Sequence, residues 1–261
     1  MSAPVVVDIE DGIATLSLNR PEVMNAMNEA TMLALRSAAE RLERDTAVRV
    51  IVLRGEGPAF CAGGDVAQFH GGIDALPDTV VQFGREMHFA FLALRRSPKP
   101  VLAVVHGVVA GAGFSLLCAA DLAIAAADTR FTLAYANIGA SPDGGSSHFL
   151  PRLTGYKRAM QLALLPEMFD AATALAYGLV NWTFPAADLA AEAQRLVRRL
   201  ANGPTHAYAE AKQLMNASVG TSIETQMEQE LMAFARCART ADLREGVAAF
   251  VEKRKPVFRG R

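Results

Sequence analysis

The stretch KPVLAVVHGVVAGAGFSLLCAAD, residues 99–121, decides the fold of this chain. Its β-branched start, Val101–Val105, predicts a buried strand, and the apolar residues 114–120 predict a short helix. Three glycines interrupt the bend between them. A strand that enters a helix through such a turn leaves backbone N–H groups without partners at the helix start, where the helix dipole favours negative charge. The stretch therefore predicts a site for an anion.

Composition excludes several classes of protein. The chain has 261 residues, about half of them apolar, and a formal net charge of −1, so it can bury a large core and gives no electrostatic case for binding nucleic acid. Three widely spaced cysteines predict reduced thiols in a cytosolic protein. The five histidines form no ligand-spaced pair, so no metal site is expected. The N-terminus has no basic segment, which argues against a signal peptide.

Residues 101–120 carry no charged side chain, and their length alone would make them a candidate to span a membrane. His106, the glycines and the change from a strand-like to a helix-like pattern favour instead a parallel strand and a helix inside a soluble core. No membrane association is therefore expected.

The N-terminal part of the chain alternates strand and helix patterns. Two strands around Asp11-Gly12 predict a hairpin, and Asn28 predicts the N-cap of a helix that runs to about Arg44. A strand at residues 49–54 leads into the glycine-rich sequence GEGPAFCAGGD. Residues 66–80 are polar and glycine-rich, which predicts a mobile segment, and a helix is expected at about residues 79–95.

The pattern of strand, glycine-rich loop and helix occurs at residues 50–70 and again at 101–121, which suggests one unit used twice. Strands separated by helices predict an α/β fold with a mostly parallel sheet. From residue 186 onward the pattern is helical. We therefore divide the chain into a β/α core, residues 1–200, and a helical region, residues 201–261.

Four motifs resemble the enoyl-CoA hydratase/isomerase, or crotonase, family: AFCAGGD (59–65), HGVVAGAGFSLLCAADLAIAA (106–126), PDGG (142–145) and EGVAAFVEKRKPVF (245–258). They occur in the family's order and span the chain. The resemblance implies a crotonase-like spiral of repeated ββα units with a C-terminal all-helical trimerisation region. It also implies a homotrimer or hexamer acting on an acyl-CoA substrate, in which coenzyme A is part of the substrate and no other cofactor is needed.

The resemblance further implies that two backbone N–H groups bind the thioester oxygen as an enolate forms. The matching positions are Gly64, after CAG, and Ala112, in the middle of the small-residue triplet. Chemistry agrees, because an α-carbon loses its proton only if the developing charge on the oxygen is stabilised. The alternative is that these glycine-rich turns serve packing alone.

The acid–base groups depart from the hydratase pattern. Typical hydratases of the family carry two glutamates, and the matching positions are Ser115 and Tyr135. Hydration by a two-glutamate mechanism is therefore in doubt, and Ser115 is interpreted as a packed hydroxyl.

A carboxylate occurs instead at Asp143, in the sequence SPDGGSS. This segment resembles those of enoyl-CoA isomerases and ring-epoxide isomerases, in which the acid moves a proton. It also resembles the placement of the nucleophilic aspartate in the 4-chlorobenzoyl-CoA dehalogenase branch, where an aromatic residue lies eight positions earlier, as Tyr135 does here. The alternative role of Asp143 is that of a turn residue.

Other polar residues are given structural roles. Asp65 is expected to cap a helix from Val66, Asp121 to be structural, and His106 and His148 to lie in the core as polar residues. A role for His88 in lining the acyl pocket has no support from the sequence.

For coenzyme A, the resemblance implies contacts at residues 24–26 and 62–64, which gives Met24, Ala26 and Ala62, with Tyr135 near the acyl group. An aromatic residue and a lysine from a neighbouring subunit match Phe250 and Lys253. The basic cluster at residues 253–255 could pair with phosphates or be a solvated helix end.

The sequence thus predicts an enoyl-CoA isomerase with Asp143 as the base. Hydration, hydrolysis and dehalogenation are alternatives within the same class of enzyme, and an acyl-CoA-binding protein without activity is the alternative outside it.

Overall fold

The structure, a computed structural model, describes residues 2–260. These residues contain nine β-strands, in two sheets. A six-stranded sheet has the order β1-β2-β3-β4-β6-β9, and a three-stranded sheet has the order β5-β7-β8. The strands are β1 Val5–Glu10, β2 Ile13–Leu18, β3 Val50–Gly55, β4 Val101–Val105, β5 Val108–Ala110, β6 Leu122–Ala126, β7 Arg130–Thr132, β8 Phe169–Asp170 and β9 Trp182–Phe184.

The same residues contain eleven α-helices, and the last four follow one another without an intervening strand. None of the helices is long and apolar enough to cross a membrane. The helices are α1 Glu29–Arg44, α2 Val66–Gly71, α3 Leu76–Arg96, α4 Gly111–Ala119, α5 Ser146–Thr154, α6 Tyr156–Leu164, α7 Ala171–Ala176, α8 Leu189–Ala201, α9 Thr205–Ala217, α10 Ile223–Cys237 and α11 Ala241–Val251.

The large sheet is parallel except for the hairpin of β1 and β2, as predicted. After β3, β4 and β6 of this sheet, the chain adds a strand or a bridge to the small sheet and then forms a helix. These repeats are β3, the bridge at Cys61 and α2; β4, β5 and α4; and β6, β7 and α5. In the repeat that begins with β3, Cys61 forms a parallel bridge with Val109 of β5. The loop after β3 therefore lies beside the turn after β4, and the prediction of one unit used at residues 50–70 and 101–121 is confirmed.

Helix α1 forms as its sequence predicts. The side chain of Asn28 accepts a hydrogen bond from the backbone N–H of Thr31, which satisfies one of the unpaired donors at the helix start. Met32, Leu35 and Leu42 are buried along one side of the helix and pack into the core.

Helix α4 begins at Gly111, three residues before the predicted start. The cause is close packing of its first turn on the loop after β3. A Cβ atom added at Gly113 would lie 2.5 Å from the carbonyl oxygen of Cys61, so only glycine fits there. Residues 111–113 can therefore form the first turn of α4 because they are small.

Residues 66–80, which are predicted to be mobile, are helical over most of their length. Asp65 caps α2 by accepting a hydrogen bond from Gln68 N, as predicted. A 3-10 turn, Ile73–Ala75, joins α2 to α3. Helix α3 begins at Leu76 rather than near residue 79, because Pro77 occupies its first turn, where the missing N–H costs nothing.

The core lies on both faces of the large sheet. On one face, α1, α3 and α4 contribute to a large apolar cluster, and on the other face α8 packs on β3, β4 and β6. Helix α9 is fixed to this core by Lys212, whose Nζ lies 2.7 Å from Asp121 Oδ2 and donates to the carbonyl of Leu94. Asp121 also accepts a hydrogen bond from Val101 N, which confirms its structural role.

Candidate active site

The loop of residues 61–65 runs directly along the start of α4. Cys61 donates its N–H to Val108 O at 3.1 Å, and its carbonyl accepts from Ala110 N at 2.9 Å. Gly63 has φ +109°, and a Cβ atom there would lie 3.2 Å from Ala110 O. Gly64 and Ala112 therefore come from two segments in backbone contact.

The backbone N–H groups of Gly64 and Ala112 have no hydrogen-bond acceptor among residues 2–260. Ala112 is the second residue of α4, where an N–H has no partner within the helix and the helix dipole is positive. Ala112 is buried and Gly64 is half-buried. The ring of Phe69 covers Gly64, since a Cβ atom added to the glycine would lie 3.1 Å from Phe69 Cζ. The N–H of Ala112 lies at a helix N-terminus, which favours an anion, and the unused N–H of Gly64 belongs to the adjacent loop.

Residues 24–26 form the other side of the loop. Met24 O accepts a hydrogen bond from Ala62 N at 2.9 Å, so these two predicted contacts of coenzyme A are adjacent. Asn25 is buried with φ +57°, and its Nδ2 donates to the carbonyls of Glu56 and Ala59. This side chain fixes the segment that carries Met24 and Ala26 to the loop.

Arg20 strengthens the same connection. Its Nη1 donates to Ala26 O at 2.6 Å and to Asp65 Oδ2 at 3.0 Å. Asp65 therefore both caps α2 and pairs with Arg20 directly after Gly64. No sequence motif indicates these roles of Arg20 and Asn25, because both have partners that lie 31 to 45 positions away in the chain.

Cys61 is a structural residue of this loop. Its thiol is fully buried and donates to Asn25 O, with Sγ 3.2 Å from the oxygen. Burial raises the pKa of Cys61 to about 12, so the sulfur stays protonated at neutral pH. A protonated, buried thiol is no nucleophile.

Asp143 is held against α4 through its backbone. Ser115 Oγ donates to Asp143 O at 2.7 Å, and Ser146 Oγ donates to the same oxygen at 2.8 Å. Gly144 follows with φ +62°, and a Cβ atom there would lie 2.8 Å from Ser115 Cβ. The PDGG sequence therefore allows the aspartate to lie one turn of α4 away from Ala112.

The carboxylate of Asp143 is bound at one oxygen. His88 Nε2 lies 2.5 Å from Oδ1, and Gly144 N donates to the same oxygen at 2.7 Å. Since a carboxylate only accepts, Nε2 carries the proton in this contact. Among residues 2–260, Oδ2 has no hydrogen-bond donor. The His88 side chain is 47% exposed and that of Asp143 34%, so small molecules can reach the pair.

Tyr135 and Asp143 both contact the hydroxyl of Ser115. The Tyr135 hydroxyl is 3.0 Å from Ser115 Oγ, and because Ser115 gives its hydrogen to Asp143 O, the tyrosine is the donor. Burial raises the pKa of Tyr135, so the phenol stays neutral. Ser115 is fully buried, and its interpretation as a packed hydroxyl is confirmed.

The histidines differ from expectation. His88 contacts Asp143, and nothing in the sequence pointed to this pairing. His148 is exposed beside Phe149, so the prediction that it lies in the core is wrong. Its position follows from α5, which presents His148 to solvent and buries Leu150. His106 is half-buried, with Nε2 2.8 Å from Gly57 O.

Phe250 and Lys253 lie at the end of α11, and no hydrogen bond among residues 2–260 joins them to residues 61–65 or to α4. Phe250 is 86% exposed. In the adjoining basic cluster, Arg254 pairs with Glu245 and Glu252 rather than being available for a phosphate. Within the described chain, no three His, Cys, Asp or Glu side chains are grouped so that they could hold a metal ion.

The chain is similar in sequence to several known proteins. The chain is 36% identical over 260 residues to 1,2-epoxyphenylacetyl-CoA isomerase of Escherichia coli K12, covering 98% of each protein. It is 32% identical over 254 residues to 4-chlorobenzoyl coenzyme A dehalogenase-2 of an Arthrobacter species, covering 95% of this chain and 91% of that protein.

The fold agrees with the crystal structure of an enoyl-CoA hydratase from Polaromonas sp. JS666. The TM-score is 0.93 at 33% identity, and the match covers 98% of this chain and 99% of that one. A sequence model of the enoyl-CoA hydratase/isomerase family matches residues 8–261. The mixed α/β fold is therefore the crotonase fold, and the chain belongs to the enoyl-CoA hydratase/isomerase family.

Proposed function

We propose that the protein is an enoyl-CoA isomerase, which shifts a carbon–carbon double bond along the acyl chain of a CoA thioester. The contact between His88 and Asp143 carries this proposal. It occupies Oδ1 and leaves Oδ2 without a protein donor within residues 2–260. One carboxylate oxygen can remove a proton from one carbon and return it to another.

In this reaction the N–H groups of Gly64 and Ala112 donate to the thioester oxygen as the enolate forms. Their lack of other acceptors supports this role. Each preorganised donor of this kind contributes on the order of 10²–10³ in rate in other enzymes. Asp143, fixed to α4 through Ser115, takes the proton from the α-carbon and delivers it to the γ-carbon.

Hydration is less well supported. Addition of water needs a group that deprotonates the water and a group that protonates the α-carbon. The side chains at the two positions that match the hydratase glutamates are Ser115 and Tyr135, and burial keeps the Tyr135 phenol neutral. Asp143 is thus the single carboxylate assigned to proton transfer.

A second candidate function is displacement by a nucleophilic Asp143. The same Oδ2 could attack a carbon of the acyl group that bears a leaving group such as chloride, so that the bond to chloride breaks as an ester with Asp143 forms. Water would then attack the Asp143 carboxyl carbon and release a hydroxylated acyl-CoA and a proton, while the N–H of His88, 2.5 Å from Oδ1, would stabilise the negative charge that develops on Oδ1. Similarity to a 4-chlorobenzoyl coenzyme A dehalogenase supports this candidate. Turnover in H2¹⁸O separates the two, because only the nucleophilic route places ¹⁸O in the peptide that contains Asp143.

The decisive experiment incubates the protein with a 3-enoyl-CoA in D2O and follows the double bond and the α-protons by NMR. The isomerase predicts formation of the 2-enoyl-CoA with deuterium exchange, and loss of both in the Asp143→Asn variant. Full activity of this variant would refute the assignment of the base. Binding of the ligand without exchange or isomerisation would identify an acyl-CoA-binding protein, and formation of 3-hydroxyacyl-CoA a hydratase.

We also propose how coenzyme A is bound. Met24 is exposed, and its carbonyl accepts a hydrogen bond from Ala62, two residues before Gly64, which supports contacts of this segment with the pantetheine and adenine. Ala26, in the same segment, is buried, and its carbonyl accepts from Arg20. Phe250 and Lys253 would reach the nucleotide end of a ligand in a neighbouring subunit. No further cofactor is required, because coenzyme A belongs to the substrate.

A homotrimer or hexamer is proposed for the assembly. The exposure of large apolar side chains on α10 and α11, including Phe234 and Phe250, supports burial of this surface against other copies. Light scattering of the purified protein would give the mass. Location in the cytosol, the absence of a nucleic-acid partner and the division at residue 200 stay predictions.

A further inference from the structure

Gly84 lies inside α3, one turn before His88, and faces the carboxylate of Asp143. A Cβ atom added at Gly84 would lie 3.8 Å from Asp143 Oδ2 and would have no other neighbour within 4 Å. This separation is an ordinary van der Waals contact. The space above Gly84 therefore opens onto the oxygen that lacks a protein donor.

The fold does not require glycine at this position. Gly113 and Gly144 have to be glycine because a Cβ atom would lie within 3 Å of neighbouring atoms. Gly84 has neither such a clash nor a positive φ. Glycine inside a helix lowers helix stability relative to alanine, so local structure favours a side chain here.

The two oxygens of Asp143 therefore differ in their surroundings. Oδ1 accepts hydrogen bonds from His88 and from the backbone N–H of Gly144, whereas Oδ2 lies next to the space that a side chain at position 84 would occupy. Both Gly84 and His88 belong to one face of α3, since they are four residues apart. The same helix thus orients the carboxylate and leaves room beside it.

We propose that Gly84 determines acyl specificity: it provides the passage for acyl groups that extend beyond C4, as a longer chain or a ring. This inference depends on the proposed function, in which Oδ2 transfers a proton between the α- and γ-carbons. An acyl group whose γ-carbon is next to Oδ2 has to continue past it, and the space over Gly84 is adjacent to that oxygen.

The test compares 3-octenoyl-CoA with 3-butenoyl-CoA in Gly84→Leu and Gly84→Ala variants. We expect the ratio of kcat/KM for the eight-carbon over the four-carbon substrate to fall about tenfold or more in Gly84→Leu, since the leucine fills the passage. In Gly84→Ala the ratio falls less, and the melting temperature rises. Gly220→Leu is the control, because a Cβ atom at Gly220 meets nothing within 4 Å and the residue is exposed between α9 and α10.

An unchanged ratio would overturn the inference, whether kcat/KM falls equally for the two substrates or does not fall at all. If Gly84→Leu does not fold, the ratio in Gly84→Ala decides. The Asp143→Asn variant separates this inference from the proposed function. An inactive Asp143→Asn with an unchanged ratio in the Gly84 variants would refute the inference alone. An active Asp143→Asn with a lowered ratio would refute the proton-transfer role but leave Gly84 at the acyl site.

Discussion

Ser115 Oγ donates a hydrogen bond of 2.7 Å to the carbonyl oxygen of Asp143. Helix α4 therefore positions two parts of the proposed site at once, since its first turn carries the N–H of Ala112 and its second turn holds the segment of Asp143. The Ser115 hydroxyl is buried, and it fixes the position of the loop that carries Asp143.

We expect Ser115→Ala to lower kcat about tenfold or more, because Asp143 loses its anchor on α4. The variant also leaves the buried Tyr135 hydroxyl without its acceptor, which costs about 1–3 kcal/mol of unfolding free energy. The double variant Ser115→Ala/Tyr135→Phe removes both partners. It should regain stability in thermal denaturation while its kcat stays low. Recovery of both quantities together would contradict a positioning role.

Replacement of His88 tests the contact with Asp143 Oδ1. His88→Ala should lower kcat about tenfold or more, and His88→Gln should restore part of the rate because an amide N–H can still donate. Since His88 is largely exposed, the unfolding free energy should change by less than about 0.5 kcal/mol. His148→Ala is the matched control, an exposed histidine whose side chain makes no hydrogen bond to Asp143. A wild-type rate in His88→Ala would exclude the contact from the reaction.

Local patterns explain how much could be predicted. The hairpin, the Asn28 cap and the Asp65 cap of α2 follow from turn residues and capping, which neighbouring residues determine. The pairing of His88 with Asp143 could not be predicted, because the two residues are 55 positions apart and meet only when α3 packs beside α4. The start of α3 at Leu76, ahead of the predicted start near residue 79, is hidden by the polar and glycine-rich composition of residues 66–80.

The N–H of Ala112 can be removed with little disturbance of the fold. Ala112→Pro should lower kcat about 10²–10³-fold, since it deletes one of the two donors proposed for the thioester oxygen. Proline is tolerated in the first turn of a helix, where the N–H has no partner within the helix. Circular dichroism and the KM measured alongside kcat check the fold and ground-state binding. A folded variant with unchanged kcat would refute the role of this donor.

The buried ion pair that fixes α9 should affect stability rather than chemistry. Lys212→Met leaves the carboxylate of Asp121 without its closest cation, which costs about 3–5 kcal/mol of unfolding free energy. The double variant Lys212→Met/Asp121→Asn should recover much of that loss, and kcat of the folded protein should stay near wild type. Urea denaturation measures the free energy of unfolding of the single and the double variant. Equal stability of Lys212→Met and the wild type would mean that the pair contributes nothing.

The C-terminal tail should be sensitive to acid. Hydrogen bonds from Arg254 and from Val257 N lower the pKa of Glu245 to about 2. A lowered pKa stabilises the folded state above the ordinary pKa, and this stabilisation is lost as the pH falls from about 5 to about 2. Hydrogen exchange of residues 254–260 should therefore accelerate over this range after correction for intrinsic rates. Glu245→Gln should exchange fast at both ends of the range.

The position of Lys212 in the chain also sets an order of events during synthesis. Asp121 and the carbonyls of Leu94 and Lys99 leave the ribosome long before the lysine that binds all three. Until α9 has emerged, the strand that leads to α4 is joined to a carboxylate that lacks its closest cation. The proposed thioester site at α4 therefore depends on a contact that forms only after the chain has been made as far as α9.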